Sequence, residues 1–180
     1  MTRVLVTGGS RSGKSRHAES LLAGQGTDYV ATGFPPSSDD PEWAARVRVH
    51  RERRPHTWTT IETLDIADVL GRASRRPVLV DCLSLWLTRE MDRHEAWNGS
   101  TPPALSADID GLVSAVRTTG RDTVLVTNEV GWGVVPDHRS GRAFRDMLGL
   151  LNARVAAECD EVWLCVSGIP VLVKGGSRDV

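Results

Sequence analysis

The sequence is short of several things, and each shortage narrows what the protein does. It has only two lysines, Lys14 and Lys174, among 22 basic residues, so almost all its positive charge is arginine. It has three cysteines, Cys82, Cys159 and Cys165, with no CxxC pair and no Cys/His metal spacing. That excludes a zinc ribbon or a disulfide framework and points to a reducing cytoplasm. No apolar run approaches the ~20 residues of a membrane span, which excludes stable membrane insertion. The net charge is −1, so no global basic excess suggests a nucleic-acid partner. The chain opens directly into MTRVLVTGG, a strand and then glycines, so a signal peptide is not expected. There is no internal repeat, and 180 residues suit one domain spanning 1–180.

What is present alternates. Near-continuous apolar runs at 3–7, 28–32, 77–81, 123–127 and 161–167 read as strands. Helical spacing appears at 15–24, 39–53, 62–73, 105–119 and 142–158. Asp40 is expected to cap the second of these, with Pro41 at its first position, and Ser106 to cap the fourth. Buried strands separated by helices predict an α/β fold with a mostly parallel sheet covered on both faces. MDRHEAWNGSTPPA (91–104) is the least regular stretch and reads as a surface insertion.

After the first strand comes GGSRSGKS (8–15), which fits G-x-x-x-x-G-K-[ST]. The chemistry explains the spacing. Gly8, Gly9, Ser10, Arg11, Ser12 and Gly13 form a loop whose backbone N–H groups turn toward phosphates. Lys14 reaches the β and γ oxygens, Ser15 offers a hydroxyl to Mg²⁺, and the following helix aims its positive end at the anion. In so arginine-rich a chain, a lysine here is a choice of compact point charge over a planar fork. A P-loop also needs an acidic partner for the metal near a strand end. Asp81 closes PVLVD and is the closer match; Glu129, after TVLVTN, is the second candidate.

The second feature is RVRVHRERRP (46–55), with five arginines around His50. Such a run is a solvated surface unless a polyanion sits nearby, and a P-loop supplies one. Neighbouring positive charge disfavours imidazolium, which leaves His50 neutral and nucleophilic toward phosphorus near physiological pH. Lys14 is committed to the P-loop and Lys174 lacks a KxDG-like context, so histidine is the natural carrier for covalent nucleotide transfer. His17, His56, His94 and His138 make weaker cases.

Three readings compete. TNEV (127–130) lacks the lysine of a guanine-reading N/TKxD motif, which argues against a GTPase switch. A plain P-loop small-molecule kinase with a structural His50, and a non-catalytic RecA-type NTP-binding module, both stay open on the residues alone.

The chain resembles one family over 3–174. The resemblance rests on VTGGSRSGKS (6–15), YVATG (29–33), PEWAARVRVHRERRPHTWTTIE (41–62), VLVDCLSLWLT (78–88), VTNEVGWGVVP (126–136), RAFRDMLGLLNARV (142–155) and DEVWLCVSGIPVLVK (160–174). It is similar to the bifunctional adenosylcobinamide kinase / adenosylcobinamide-phosphate guanylyltransferases. The resemblance implies a RecA-like P-loop fold and a trimer. It also implies phosphorylation of the aminopropanol hydroxyl of adenosylcobinamide with GTP or ATP and Mg²⁺. GMP is then carried from GTP on a histidine to adenosylcobinamide phosphate. His50 matches that histidine and Gly8 to Ser15 the GTP loop. Arg51, Glu52, Arg53, Arg54 and Glu62 match nucleotide contacts. Three positions depart from the family pattern. Trp43 replaces a frequent methionine and is expected to change packing only. Arg89 replaces the usual asparagine. Trp132 is bulkier than expected and is read as narrowing or lining the cobinamide pocket.

Overall fold

The computed structural model describes residues 1–176. One seven-stranded sheet contains β1 (Arg3–Gly8), β2 (Asp28–Ala31), β3 (Thr59–Glu62), β4 (Val78–Asp81), β5 (Thr123–Val126), β6 (Glu161–Val166) and β7 (Ile169–Lys174). Their order is β3-β2-β4-β5-β1-β6-β7, and every neighbouring pair is parallel except β6 and β7. The helices are α1 (Lys14–Ser20), α2 (Pro41–Arg53), α3 (Ile66–Gly71), α4 (Leu83–Arg93), α5 (Pro103–Thr118) and α6 (Arg139–Glu158).

The two-residue strand period divides the core. Leu5, Val30, Val78, Val80 and Leu125 point to one face, where α3, α4, α5 and α6 cover them. Val4, Val6, Leu79, Val124 and Val126 point to the other, against Ala18 and Leu22 near α1. Helices therefore cover both faces, though unequally. α2 has no buried residue at all. Its start follows the sequence: the Asp40 carboxylate accepts from the Trp43 N–H at 2.9 Å, with Pro41 at the first turn.

Several elements differ from the sequence expectation. The helix expected from residue 62 begins at Ile66, where Asp65 caps it by accepting from the Asp68 N–H at 2.9 Å. Thr59–Glu62 instead extends the sheet beside β2, as a β-branched run favours. LSLWLTREMDR forms α4, burying Leu83, Trp86, Leu87 and Met91 at helical spacing. Residues 91–104 are consequently not all surface: Met91 and Ala96 are fully buried. α5 starts at Pro103, so Ser106 lies inside the helix rather than at its cap. Lys174 donates to the Ala156 and Ala157 carbonyls, at 2.8 and 3.0 Å, and closes the end of α6.

An ion-paired arginine locks the strand starts. Arg121 is buried and donates to Asp28 Oδ2 at 2.5 Å, to the Arg76 carbonyl at 2.9 Å and to the Val69 carbonyl at 2.9 Å. Arg76 donates to the other Asp28 oxygen at 2.7 Å. Burial pushes the Asp28 carboxyl up, but the hydrogen bonds from both arginines outweigh it and leave it lowered. Arg121→Met is expected to cost about 3 kcal/mol in urea denaturation, because it leaves Asp28 with Arg76 alone and strips the Arg76 and Val69 carbonyls of their donor.

Candidate active site

The parallel strands end at one edge of the sheet, and their last residues and following loops enclose a cavity of about 1140 Å³. β1 delivers the P-loop there. Arg11, at φ 56°, and Gly13, at φ 93°, turn the loop back on itself. A Cβ on Gly13 would lie 3.1 Å from Gly168 Cα, so the glycine also admits the β6–β7 turn. That turn, Ser167 and Gly168 both at positive φ, props the loop: the Gly168 N–H donates to the Ser12 carbonyl at 2.9 Å. A Cβ on Gly8 would meet the Cys165 carbonyl at 2.6 Å, so strand packing forbids a side chain there as well.

Lys14 folds over the loop and donates to the Gly9 carbonyl at 3.1 Å. Burial lowers its pKa, against the pull of Cys82 and Asp81. An ammonium has three donors, so a half-buried one resting on a neutral carbonyl is suited to an anion. The residues present thus fit a phosphate chain. Ser15 and Asp81 line the same cavity and offer hard oxygen ligands of the type Mg²⁺ takes. Tyr29 Oη donates to Asp81 Oδ2 at 2.9 Å, and His50 Nδ1 stands 3.9 Å from that same oxygen, which leaves Oδ1 for a cation.

α2 lies across the opening and brings its arginine run to the cavity. His50 is one-third exposed, with a side-chain accessibility of 33%. Its pKa is lowered, first by burial; Asp81 and Glu19 pull it up, while Arg53 and Arg54 push it down. The direction is the one expected from the sequence, but desolvation outranks the neighbouring positive charge as the cause. Each arginine nearby has its own partner. Arg53 makes a forked pair with Glu19, at 2.8 and 2.6 Å, and reaches within 3.4 Å of His50 Nδ1. Arg51 pairs with Glu62. Arg54 stacks on Tyr29, 3.5 Å from the ring centroid, and donates to Thr60 Oγ1 at 3.0 Å.

Most residues singled out by sequence meet in this cavity: Ser10 to Ser15, His50, Arg51, Arg53, Arg54, Glu62 and Asp81. Gly8 and Gly9 shape the loop from behind. Glu52 does not reach the cavity; it is exposed and faces Arg48 at 3.8 Å. Glu129 stays behind the P-loop, accepting from Thr7 Oγ1 at 3.0 Å. Trp132 is 74% exposed and lies off the cavity wall. Trp43 does more than pack. Its Nε1 donates to the Phe34 carbonyl at 2.9 Å, and its ring covers Gly33, where a Cβ would sit 2.8 Å away. Arg89 donates to the Gly33 carbonyl at 3.1 Å and lies over Phe34, so it fixes the loop that Trp43 covers. Tyr29, Glu19, Arg89 and the Ser167–Gly168 turn were not legible as site residues, because each depends on a partner far away in sequence. His17 packs edge-on against Trp163, with ring centroids 4.9 Å apart.

A mostly parallel sheet with a glycine loop, a lysine and a helix at the end of β1 defines a P-loop NTPase fold, whose loop is of the type that binds nucleotide phosphates. A type III secretion system ATPase from pathogenic bacteria aligns with 91% of this chain and 50% of its own, with a TM-score of 0.55 at 12% identity, a likeness of fold alone. The model of the cobinamide kinase / cobinamide phosphate guanyltransferase family matches residues 4–173, and the chain belongs to that family. It is 41% identical to the bifunctional adenosylcobalamin biosynthesis protein CobU of Escherichia coli K12, over 95% of this chain and 99% of that one. It is 37% identical to the bifunctional adenosylcobalamin biosynthesis protein CobP of Pseudomonas aeruginosa PAO1, over 96% and 98%.

Proposed function

We propose that this enzyme phosphorylates the aminopropanol hydroxyl of adenosylcobinamide and then transfers GMP to the product through His50, giving adenosyl-GDP-cobinamide. The observation that carries the reading is the placement of a half-buried, pKa-lowered histidine in the same cavity as the P-loop lysine. In the first step Lys14 and the loop N–H groups hold the triphosphate of GTP or ATP while the hydroxyl oxygen attacks the γ-phosphorus. The bond from that phosphorus to the bridging oxygen breaks, the nucleoside diphosphate leaves and the hydroxyl proton is released to solvent. In the second, a ring nitrogen of His50 attacks the α-phosphorus of GTP; the N–P bond forms and pyrophosphate leaves. An oxygen of the cobinamide phosphate then attacks that phosphorus and His50 departs. Mg²⁺ held by Ser15 and Asp81 would neutralise phosphate charge.

The tautomer matters. Nδ1 faces Asp81 and Arg53, so Nε2 is the attacking nitrogen, and its lone pair is free only when the proton sits on Nδ1. An arginine N–H bonded to Nδ1 would place the proton on Nε2 instead. Arg53, although forked to Glu19, already reaches Nδ1 at 3.4 Å and can only donate there. Attack by Nε2 therefore requires that contact to give way and the proton to move to Nδ1, on the side of Asp81 Oδ2. Arg51 and Arg54 would reach phosphate by exchanging their partners Glu62 and Thr60.

The test uses GTP labelled at the α- or the γ-phosphate. With Mg²⁺, only the α-label should become protein-bound, acid-labile and alkali-stable, as a phosphoramidate is. Intact kinase activity with no bound α-label would favour the plain kinase with a structural His50. Because the imidazole is already biased to its neutral form, labelling should stay flat as pH falls from alkaline values to 6.5, histidine's ordinary value, and drop only below it. Protonation removes the attacking lone pair, so the loss is on the acid side; a profile falling well above 6.5 would contradict the assignment.

The wider setting follows the same reading. Ile169, Val171 and Val173 expose apolar side chains along the edge strand β7, a surface suited to subunit packing in a homotrimer, which light scattering would count. Among the described residues no helix is long and apolar enough to cross a membrane. The three cysteines are free and buried, as a cytoplasmic enzyme allows.

A further inference from the structure

Beyond the nucleotide cavity, the last turn of α4 holds a second constellation. Glu90 lies in the last turn of α4, His94 caps that helix one turn further on, and Asp108 comes from α5. One ligand-type atom of each lies within 4.8 Å of the other two. His94 Nε2 is 2.7 Å from Asp108 Oδ2 and 3.7 Å from Glu90 Oε2.

The Glu90 side chain is only 3% exposed, and its Oε2, aimed into this group, makes no hydrogen bond. A buried carboxylate oxygen without a donor is costly, and native structures rarely keep one without a reason. Arg93 and, when protonated, His94 are the cations nearest to it. The Arg93 guanidinium stands 3.4 Å from Glu90 Oε2 and 3.1 Å from Asp108 Oδ2, yet the side chain is 55% exposed and can swing into solvent. Arg89, on the adjacent position of α4, is turned away onto the Gly33 carbonyl.

We infer that Glu90, His94 and Asp108 form a structural site for a divalent transition-metal ion of the Zn²⁺ type. One imidazole nitrogen and two carboxylate oxygens are a zinc ligand set, with water completing four; Mg²⁺ and Ca²⁺ prefer oxygen alone. Ligands at zinc distances lie roughly 3.3 Å apart around a tetrahedron. The Glu90–His94 spacing is near that already, and the His94–Asp108 pair needs to open by roughly 0.6 Å. The ion would displace Arg93, satisfy Glu90 Oε2 and pin the end of α4 to α5 across residues 95–102. The site uses no residue of the nucleotide cavity.

The test titrates Zn²⁺ into chelator-stripped enzyme against a chromophoric chelator, with thermal melts alongside. Wild type should take up one equivalent that His94→Gln and Asp108→Asn do not, and saturating Zn²⁺ should raise its Tm by roughly 5–10 °C. Glu90→Gln should melt higher than wild type without metal, because a buried carboxylate that Arg93 and His94 only partly offset is gone, and gain nothing from Zn²⁺. His50→Asn should keep the equivalent, which separates this site from the imidazole in the nucleotide cavity. The inference fails if wild type takes up no zinc, if His94→Gln binds as well as wild type, or if His50→Asn loses the equivalent.

Discussion

His50→Asn should abolish the protein-bound α-phosphate label, by ~10³-fold or more, while phosphorylation of the cobinamide hydroxyl persists within about tenfold. The asymmetry follows from what each step asks of the side chain. In guanylyl transfer the imidazole nitrogen forms a bond to phosphorus, and an amide has no comparable lone pair. In the kinase step the transferred γ-phosphate passes from the P-loop to the acceptor hydroxyl and never bonds to His50. Asparagine is chosen because it keeps a polar group near Arg53 and Asp81, so the Arg53–Glu19 fork should survive. Loss of both activities together would mean that the histidine organises the cavity rather than carrying GMP. Labelling that persists would place the carrier elsewhere, and mapping the labelled peptide would identify it.

The parts of the molecule visible in sequence are those whose determinants are local. Gly8 to Ser15 carry their function in eight consecutive residues, and the strand before them and helix after them appear as expected. The strands β1, β4 and β5 are apolar on both faces because helices cover both, so their runs stand out. β3 does not, for a physical reason: it lies at a sheet edge with its residues half-buried or exposed, and TTIE carries no continuous apolar run. β7, at the other edge, is the apolar run IPVLV, but it follows β6 after a two-residue turn and contains a proline, which is tolerated only at an edge. The start of α4 was hidden because LSLWL reads equally as strand or buried helix over so short a span.

The active site divides along the same line. The composition of 46–54 announced an anion site, but not what each arginine does in the absence of one. Arg53 is held by Glu19, 34 residues away, and Asp81 is addressed by Tyr29, 52 residues away. Such pairs follow from the β3-β2-β4 strand order and the passage of α2 over the strand ends. No spacing along the chain encodes them. Glu52 came in with the run that the resemblance matches to nucleotide contacts, and here the helix turn points it at Arg48, away from the cavity.

Lys14→Ala should cripple both reactions, by about 10²–10³-fold in kcat/KM for each, because one P-loop serves the phosphates of the kinase donor and of the GTP that is cleaved. The lysine is placed for this: it is half-buried, its pKa is lowered by that burial, and its donated hydrogen bond goes to the neutral Gly9 carbonyl. Removing the charge leaves the loop N–H groups to hold the triphosphate alone. Lys14→Arg is the sharper variant. The chain uses arginine at 20 of its 22 basic positions, so composition alone would favour the exchange. A planar fork nevertheless cannot follow the path from α1 over Gly9 that a single ammonium takes, and it should fail by about 10²-fold despite its charge. Steady-state kinetics of each half-reaction, with nucleotide binding measured on the same samples, decide the point. Loss of phosphorylation with α-labelling intact would show that GTP for guanylylation is held elsewhere, and the cavity would then contain two nucleotide sites rather than one.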